Sequence, residues 1–432
     1  MPHASMRRMT TPTSLDRLLR QRRILMLQGP IGWFFSRLAR VLRTHGQEVW
    51  KVHFNGGDDW FWRGPGALRF SAPMERWGER LRWLVAEHRI DAIVLFGQSR
   101  LQHEIAIREA RALGVAVYVF EEGYVRPDYI TLEIGGVNGH STIPRVRSFY
   151  DRQEPAELAA PRPTHQEFGQ VADLAMTYAL ATTLGAWAFP HYRHHRSMHP
   201  IAEGLRWVRG GIRKWKYRWR DRDVLAELTT DARHKRWFLA PLQVYNDSQI
   251  QRFSPYRDVG QFIERVMQSF AEHARCDEWL VFKHHPLDRP YSDYTDLIAE
   301  RTLALGLKGR VRYVHDLHLP TLLKHARGVV TVNSTTGLQS LYHGTPVVTL
   351  GECLYAIEGL VHKGPLEAFW RDPGTVDATL YQRFRAHLVR ETQINASFYA
   401  EAPGLEGLTG EREFQPTFPP PEPLASPTAR EA

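Results

Sequence analysis

Short β-branched apolar runs alternate along this chain with stretches in which apolar residues recur at helical spacing. The run at 24–27 enters the turn Gln28-Gly29-Pro30-Ile31-Gly32, and a helical pattern over 33–44 leads to a second run at 47–54. Strand, Gly-containing turn, helix and strand open a doubly wound α/β domain. The pattern then predicts a helix at 74–88, a strand at 92–96, a helix at 101–113 ended by Gly114, and a strand at 115–120. A second series predicts strands at 237–242, 279–283, 311–314, 329–332 and 346–350. Helices at 259–273, 294–306 and 321–326 separate them, and a short one from Leu338 stops at Gly344. The fold class that follows is α/β, with two Rossmann-like domains facing a cleft.

These elements divide the chain into a flexible lead-in at 1–21, an α/β domain at 22–165, a helical, basic and Trp-rich insertion at 166–230, and a second α/β domain at 231–370. Helices follow at 371–402, then a Pro-rich tail without periodicity at 403–432, which predicts disorder. Residues 126–133 read as a polar loop and 142–165 as a connection. The stretch 55–65, NGGDDWFWRGP, fits either a packed surface loop or a binding lip.

Hydrophobic content of 43% with 24% charged residues is that of a folded protein. The apolar stretch at 171–189 is short of the roughly 20 residues that span a bilayer, so a buried helix or an interfacial one both fit. No continuous apolar run follows the basic N-terminus, so no secretory signal is read. Cys276 and Cys353 make neither a disulfide framework nor a zinc site and suit a reducing, cytoplasmic setting. His191, His194, His195 and His199 lie among arginines without carboxylates at ligand spacing, which reads as a solvated basic segment, and no metal is expected.

A formal charge of +9 calls for an acidic partner: nucleic acid, anionic lipid or an anionic substrate. The stretch 205–222 interleaves Trp207, Trp215 and Trp219 with Arg213, Lys216 and other cations, the composition of a helix lying on anionic headgroups. Because it follows a long apolar helix, a membrane surface is favoured over nucleic acid.

Polar residues gather where strands end. After the strand at 329–332 come Asn333, Ser334, Thr335, Thr336 and Gly337, hydroxyls and free amides at the start of a helix, which suit a phosphate. Gln243 ends the strand at 237–242, Lys283-His284-His285-Pro286 the one at 279–283, and Asp316 the one at 311–314. In the first half, Gln28 and Gly29 form the first turn, Gln98 follows the strand at 92–96, and Glu121-Glu122-Gly123-Tyr124 ends the strand at 115–120, with Arg126 and Asp128 beyond. Adjacent strand residues face opposite ways, so one carboxylate of the pair faces the cleft, and two close carboxylates raise one pKa.

Taken together these motifs suggest a GT-B-like glycosyltransferase. Gln28-Gly29-Pro30, Glu121-Glu122-Gly123-Tyr124 with Arg126-Pro127, Pro241-Leu242-Gln243 with Asp247-Ser248, Lys283-His284-His285-Pro286 and Asn333-Ser334-Thr335-Thr336-Gly337 resemble, in that order, the capsular polysaccharide synthesis and export family. The resemblance covers 22–370 and is to the KpsS/LipB branch.

That resemblance implies a retaining β-Kdo transferase, peripheral at the cytoplasmic face of a Gram-negative inner membrane. It would move Kdo from CMP-β-Kdo to an anionic, phosphatidylglycerol-type lipid and so start the poly-Kdo linker for capsule export, with other capsule synthesis or export proteins as partners and no cofactor. His285-Pro286 and Ser334-Thr335 would hold the CMP phosphate, with Lys283, Asn333, Thr336, Gly337, Gln243 and Asp316 around the donor. Relatives that carry Glu-Asp-Gly here use that Asp in double displacement. This chain has Glu-Glu-Gly, so Glu122 matches it by position with a longer side chain, and a carboxylate nucleophile and a front-face route both fit. Glu121 and Asp128 are the other catalytic candidates. Gln28, Gly29, Gln98, Tyr124 and Arg126 would meet sugar or acceptor, and an arginine suits the sugar carboxylate. The rival readings are a GT-B-fold UDP-sugar epimerase, a non-catalytic export scaffold and nucleic-acid binding.

Overall fold

A computed structural model describes residues 12–154, 157–193 and 200–409. The first sheet holds β1 (Arg23–Met26), β2 (Glu48–His53), β3 (Ala67–Arg69), β4 (Ala92–Phe96), β5 (Ala116–Glu122) and β6 (Tyr129–Ile134). The second holds β7 (Trp237–Pro241), β8 (Trp279–Lys283), β9 (Val311–Val314), β10 (Gly328–Thr331) and β11 (Val347–Thr349). A last strand, β12 (Gln393–Asn395), returns to the first sheet, whose order is β12-β6-β5-β4-β1-β2-β3; the second runs β11-β10-β7-β8-β9. Antiparallel pairing is confined to β6, which pairs so with β5 on one side and β12 on the other. Two Rossmann-like α/β domains thus face each other, a GT-B-like arrangement.

Helices cover both faces of each sheet, which is why β7 and β8 are buried along their whole length and read as unbroken apolar runs. In the first sheet β1 lies between β2 and β4, and in the second β7 lies between β8 and β10. The chain therefore reverses its direction of growth beside β1 and beside β7. Such reversals open a crevice at the carboxyl ends of the flanking strands.

Three local expectations give way to tertiary pairing. Residues 129–134 form a strand, not a loop, because Thr131 and Glu133, 0% and 1% exposed, find partners inside the protein. The Tyr124 hydroxyl donates to Glu133 Oε1 at 2.6 Å and the Ser141 hydroxyl to Oε2 at 2.5 Å. Within the stretch read as C-terminal helices, residues 393–395 become β12 because β6 offers an open edge. Pro403–Thr409, placed in the disordered tail, is helical and sets Leu405 into the core of the first domain. Residues 410–432 lie outside the described residues.

The insertion holds two long helices, Phe168–Leu184 and Pro200–Arg220. Among the described residues no helix is long and apolar enough to cross a membrane. The first helix sits on Gly56–Trp60, so the stretch 55–65 is its seat. A Cβ on Gly56 would stand 2.1 Å from the Ala181 carbonyl oxygen, and one on Gly57 would stand 2.6 Å from the Tyr178 ring. Backbone meets backbone at Gly56, and the Tyr178 ring lies against Gly57, because neither glycine has a side chain. Tyr178 then reaches the floor of the first domain, where its hydroxyl accepts from Gln28 Nε2 and Asn55 Nδ2, both at 2.8 Å.

The second helix is held by its inner face. Arg213 donates to the carbonyls of Arg289 (2.9 Å) and Ser292 (3.2 Å), and the Tyr217 hydroxyl donates to Asp293 at 2.7 Å. Tyr217 also stacks on His315 with centroids 3.6 Å apart.

Overpacking a close contact costs about 1–3 kcal/mol. Gly56→Ala should lower stability by about that amount, read by chemical denaturation. It should also open 168–184 to limited proteolysis while leaving the second domain protected.

Candidate active site

The second-domain half of the site is built on the reversal at β7. Gln243, just past β7, donates to Asn333 Oδ1 at 3.1 Å and to Asp247 Oδ2 at 2.8 Å, and Asn333 Nδ2 donates to the Gln249 carbonyl at 2.9 Å. These bonds fix the turn that carries Ser334 and Thr335. The Ser334 hydroxyl accepts from Thr336 N at 3.1 Å. The Thr335 hydroxyl makes no hydrogen bond among the described residues. The helix that follows, Thr336–Tyr342, has seven residues, so its dipole is short and an anion here depends on nearby cations.

Those cations come from β8 and from the other domain. Lys283 is 7% exposed, and burial lowers its pKa. His285 caps the turn Pro286–Asp288, its Nδ1 accepting the Leu287 N–H at 3.2 Å. A neutral imidazole that accepts at Nδ1 carries its proton on Nε2. Burial first, then Lys283 and Arg126, bring His285 down to about 4, so at neutral pH it is an uncharged N–H donor. Arg126 belongs to the first domain, and its field at His285 marks where the two walls meet.

The opposite wall carries the carboxylates. Glu121 and Glu122 end β5 on opposite faces. Burial raises Glu121 to about 7; its own bond from Glu122 N (3.1 Å) and Arg100 lower it, while Glu122 and, across the cleft, Asp247 raise it. Glu122 instead accepts from the Tyr399 hydroxyl at 3.1 Å. The cleft is closed behind them by Ser248 donating to Ser99 at 3.2 Å, by an Arg252–Glu104 ion pair, and by Phe253 on His140 at 4.8 Å between centroids.

Several side chains foreseen at the site are committed elsewhere. Gln28 is 2% exposed and spends its amide on Tyr178, Tyr192 and Gln102, while Gln98 closes on both backbone groups of Val137 at 2.9 and 3.1 Å. Tyr124 is buried between Glu133 and the Asn138 N–H, and Asp128 accepts the N–H and hydroxyl of Thr164. A Cβ on Gly29 would meet the Phe35 ring at 2.8 Å, and one on Gly337 the Tyr355 hydroxyl at 2.1 Å, so both glycines serve packing. Thr336 is tied to Ser334, and Asp316 to Arg289. All eight hold the site's frame, because a polar residue at a strand end is as easily consumed by a neighbouring loop as left for a ligand.

In the basic helix, Trp207, Trp215, Lys216 and Trp219 are exposed, whereas Arg213 points inward to 289–293. His194, His195 and His199 lie outside the described residues.

Two residues absent from the sequence candidates stand at the centre. Tyr399 arrives from the far end of the chain, 277 positions from Glu122, and no local pattern announces it. Arg100 ends the strand-end run Gly97-Gln98-Ser99-Arg100, and its position at the carboxyl end of β4 was the signal for it.

The sequence pattern of a family described as capsule polysaccharide biosynthesis protein matches residues 91–399. The chain is 41% identical over 390 residues to the capsule polysaccharide export protein KpsS of Escherichia coli, covering 89% of this chain and 99% of that one. It is 38% identical over 385 residues to the capsule polysaccharide modification protein LipB of Neisseria meningitidis serogroup B, covering 88% and 92%. Among solved structures, the Thermosulfurimonas dismutans KpsC β-Kdo 2,7 transferase aligns at 15% identity with a TM-score of 0.42, over 89% of this chain and 97% of that one.

A carboxyl raised in the folded state binds its proton more tightly there than in the unfolded chain, so its contribution favours the fold at acid pH. That contribution is lost as pH rises from the ordinary glutamate range toward 7. His285, lowered to about 4, acts in the opposite sense, so the diagnostic is a difference. Stability of Glu121→Gln minus that of wild type should rise between pH 4.5 and 7 with a slope of up to about 1.4 kcal/mol per pH unit, measured by denaturant titration across that window.

Proposed function

This chain belongs to the capsule polysaccharide biosynthesis family, and from that premise we propose that it is a retaining glycosyltransferase. In this reading it moves Kdo from CMP-β-Kdo to a phosphatidylglycerol-type lipid at the inner face of the inner membrane, starting the linker on which capsule is exported. The observation that supports it best is the opposition of two walls. Lys283, the His285 Nε2–H and Arg126 share one electrostatic neighbourhood at the strand ends of the second domain, where the Ser334-Thr335 turn also lies. Glu121 at the end of β5 feels Asp247 of that domain, with Glu122 next to it in the chain.

Each wall suits one half of the reaction. A departing nucleotide phosphate gains negative charge as the glycosidic bond breaks, and donors already aimed at it need no reorganisation. Glu122 attacks the anomeric carbon from the other side, forming a glycosyl ester as CMP leaves. The acceptor hydroxyl then displaces Glu122 and restores the original configuration. Glu121, poised near neutrality, takes the acceptor's proton. Tyr399 holds the Glu122 carboxylate in place through its hydroxyl.

Mass spectrometry of purified protein with CMP-Kdo and a phosphatidylglycerol analogue, without added metal, should show one added Kdo. No product across several lipid acceptors overturns the reading. His285→Ala should lower turnover by about 10²–10³-fold, the loss typical of one transition-state donor. Glu122→Gln should abolish transfer, with both variants folded by circular dichroism.

The lipid acceptor agrees with the outer faces of the insertion helices. Met176, Leu180 and Leu184 on one, and Leu205, Val208, Ile212, Trp215 and Trp219 on the other, are all more than 60% exposed. The last five recur at spacings of three and four, flanked by Lys216, Arg218 and Arg222. The ring of Phe168 lies 6.1 Å from that of Trp207, which joins the two helices into one surface. Such a surface suits a bilayer carrying anionic headgroups. Wild type should float with phosphatidylglycerol-containing vesicles more than with phosphatidylcholine ones, and the double variant Trp215→Glu, Trp219→Glu should lose that preference.

A further inference from the structure

The first-domain crevice contains a cation that the transfer mechanism above leaves unused. Arg100 stands just past β4, at the reversal beside β1, and its Nη1 donates to the Gly29 carbonyl across that reversal at 3.3 Å. Its guanidinium also lies 5.5 Å from the Phe96 ring centroid. Glu121 and Tyr399 feel its charge from one side, and Lys51, Tyr178 and Tyr192 from the other. Its contacts with Gly29 and Phe96 place it at the carboxyl ends of β1 and β4, among these groups.

The side chain is half-buried, and among the described residues it makes no ion pair and one hydrogen bond, the one to Gly29. A guanidinium has five N–H donors in a rigid fork, so most of this one is uncommitted. A half-buried cation without a counter-charge is costly unless an anion arrives. Glu121, raised to about 7, is only partly ionised near neutral pH and so is a weak counter-charge. Lys51, buried and facing Asp58 at 3.4 Å, keeps its own carboxylate and adds positive potential.

We propose that Arg100 anchors an anionic oxygen group, a carboxylate or a phosphodiester, on the molecule that enters the first-domain crevice beside Glu121. Both groups match the two parallel N–H vectors of the fork. Within the transferase reading the group has two sources, the carboxylate of the transferred sugar and the phosphodiester of the lipid acceptor. The identity of the ligand rests on that reading, whereas the site does not. Arg126, which the sequence offered for the sugar carboxylate, donates to the Gly123 carbonyl and its charge reaches His285 of the second domain, which leaves Arg100 as the cation beside Glu121.

Arg100→Gln and Arg100→Lys would be compared with wild type in steady-state kinetics, with melting temperatures confirming the fold. Arg100→Gln should raise one KM by 10-fold or more with a smaller change in kcat, and Arg100→Lys, which keeps charge without the fork, should recover part of the loss. A rise confined to the donor identifies the sugar carboxylate, and one confined to the acceptor identifies the phosphodiester. Both KM values within twofold of wild type overturn the proposal.

If wild type shows no turnover with CMP-Kdo, the transferase reading fails and the site is tested by thermal shift. Glycerophosphoglycerol, a phosphodiester, or pyruvate should then raise the melting temperature of wild type and not of Arg100→Gln. Equal shifts, or none, overturn the assignment.

Discussion

A parallel sheet with helices on both faces leaves only its strand ends free, and in each domain the order reverses beside the first strand. That reversal is the constraint from which the site follows. Beside β7 it leaves room for Gln243 and Asn333 to bond across the gap, and beside β1 it lets Arg100 reach the Gly29 carbonyl. Because the two domains face each other with these ends inward, residues from the two halves of the chain become neighbours. Ser99 meets Ser248, and Arg126 lies within the field of His285.

The cleft is electrically divided. One wall presents Lys283 and Arg126 around an imidazole that burial keeps neutral, and the other presents two carboxyl groups that the strand turns apart. Lys283 is buried and Glu121, Glu122 and His285 are partly so, whereas Arg126 is exposed; the buried charges interact more strongly and are screened less by salt. Desolvation leads among the causes for Glu121, His285 and Lys283 alike, which ties their chemistry to closure of the cleft more than to any single neighbour.

The insertion connects this interior to the outside. Helix Phe168–Leu184 sends Tyr178 to the floor of the first domain, and helix Pro200–Arg220 holds the loop after His285 through Arg213 and Tyr217. The opposite faces of the same helices carry exposed leucines and tryptophans. Each helix thus fixes the surface it displays relative to one half of the site. A surface so attached sets the orientation of the cleft toward whatever it rests on.

Periodicity and turn chemistry are local, so the sequence by itself determined the α/β class, the two parallel series, the glycine stops at Gly114 and Gly344, and the strand ends where polar groups gather. Both glycines hold positive φ, 68° and 70°, as their places after helices require. Tertiary structure alone decided which of those polar groups remain free. Gln28, Gln98, Tyr124 and Asp128 read like ligand contacts but are consumed by Tyr178, Val137, Glu133 and Thr164, partners that no spacing reveals. It also decided that β12 returns the chain to the first sheet and delivers Tyr399 to Glu122, because a three-residue strand is stable only against an edge supplied from elsewhere.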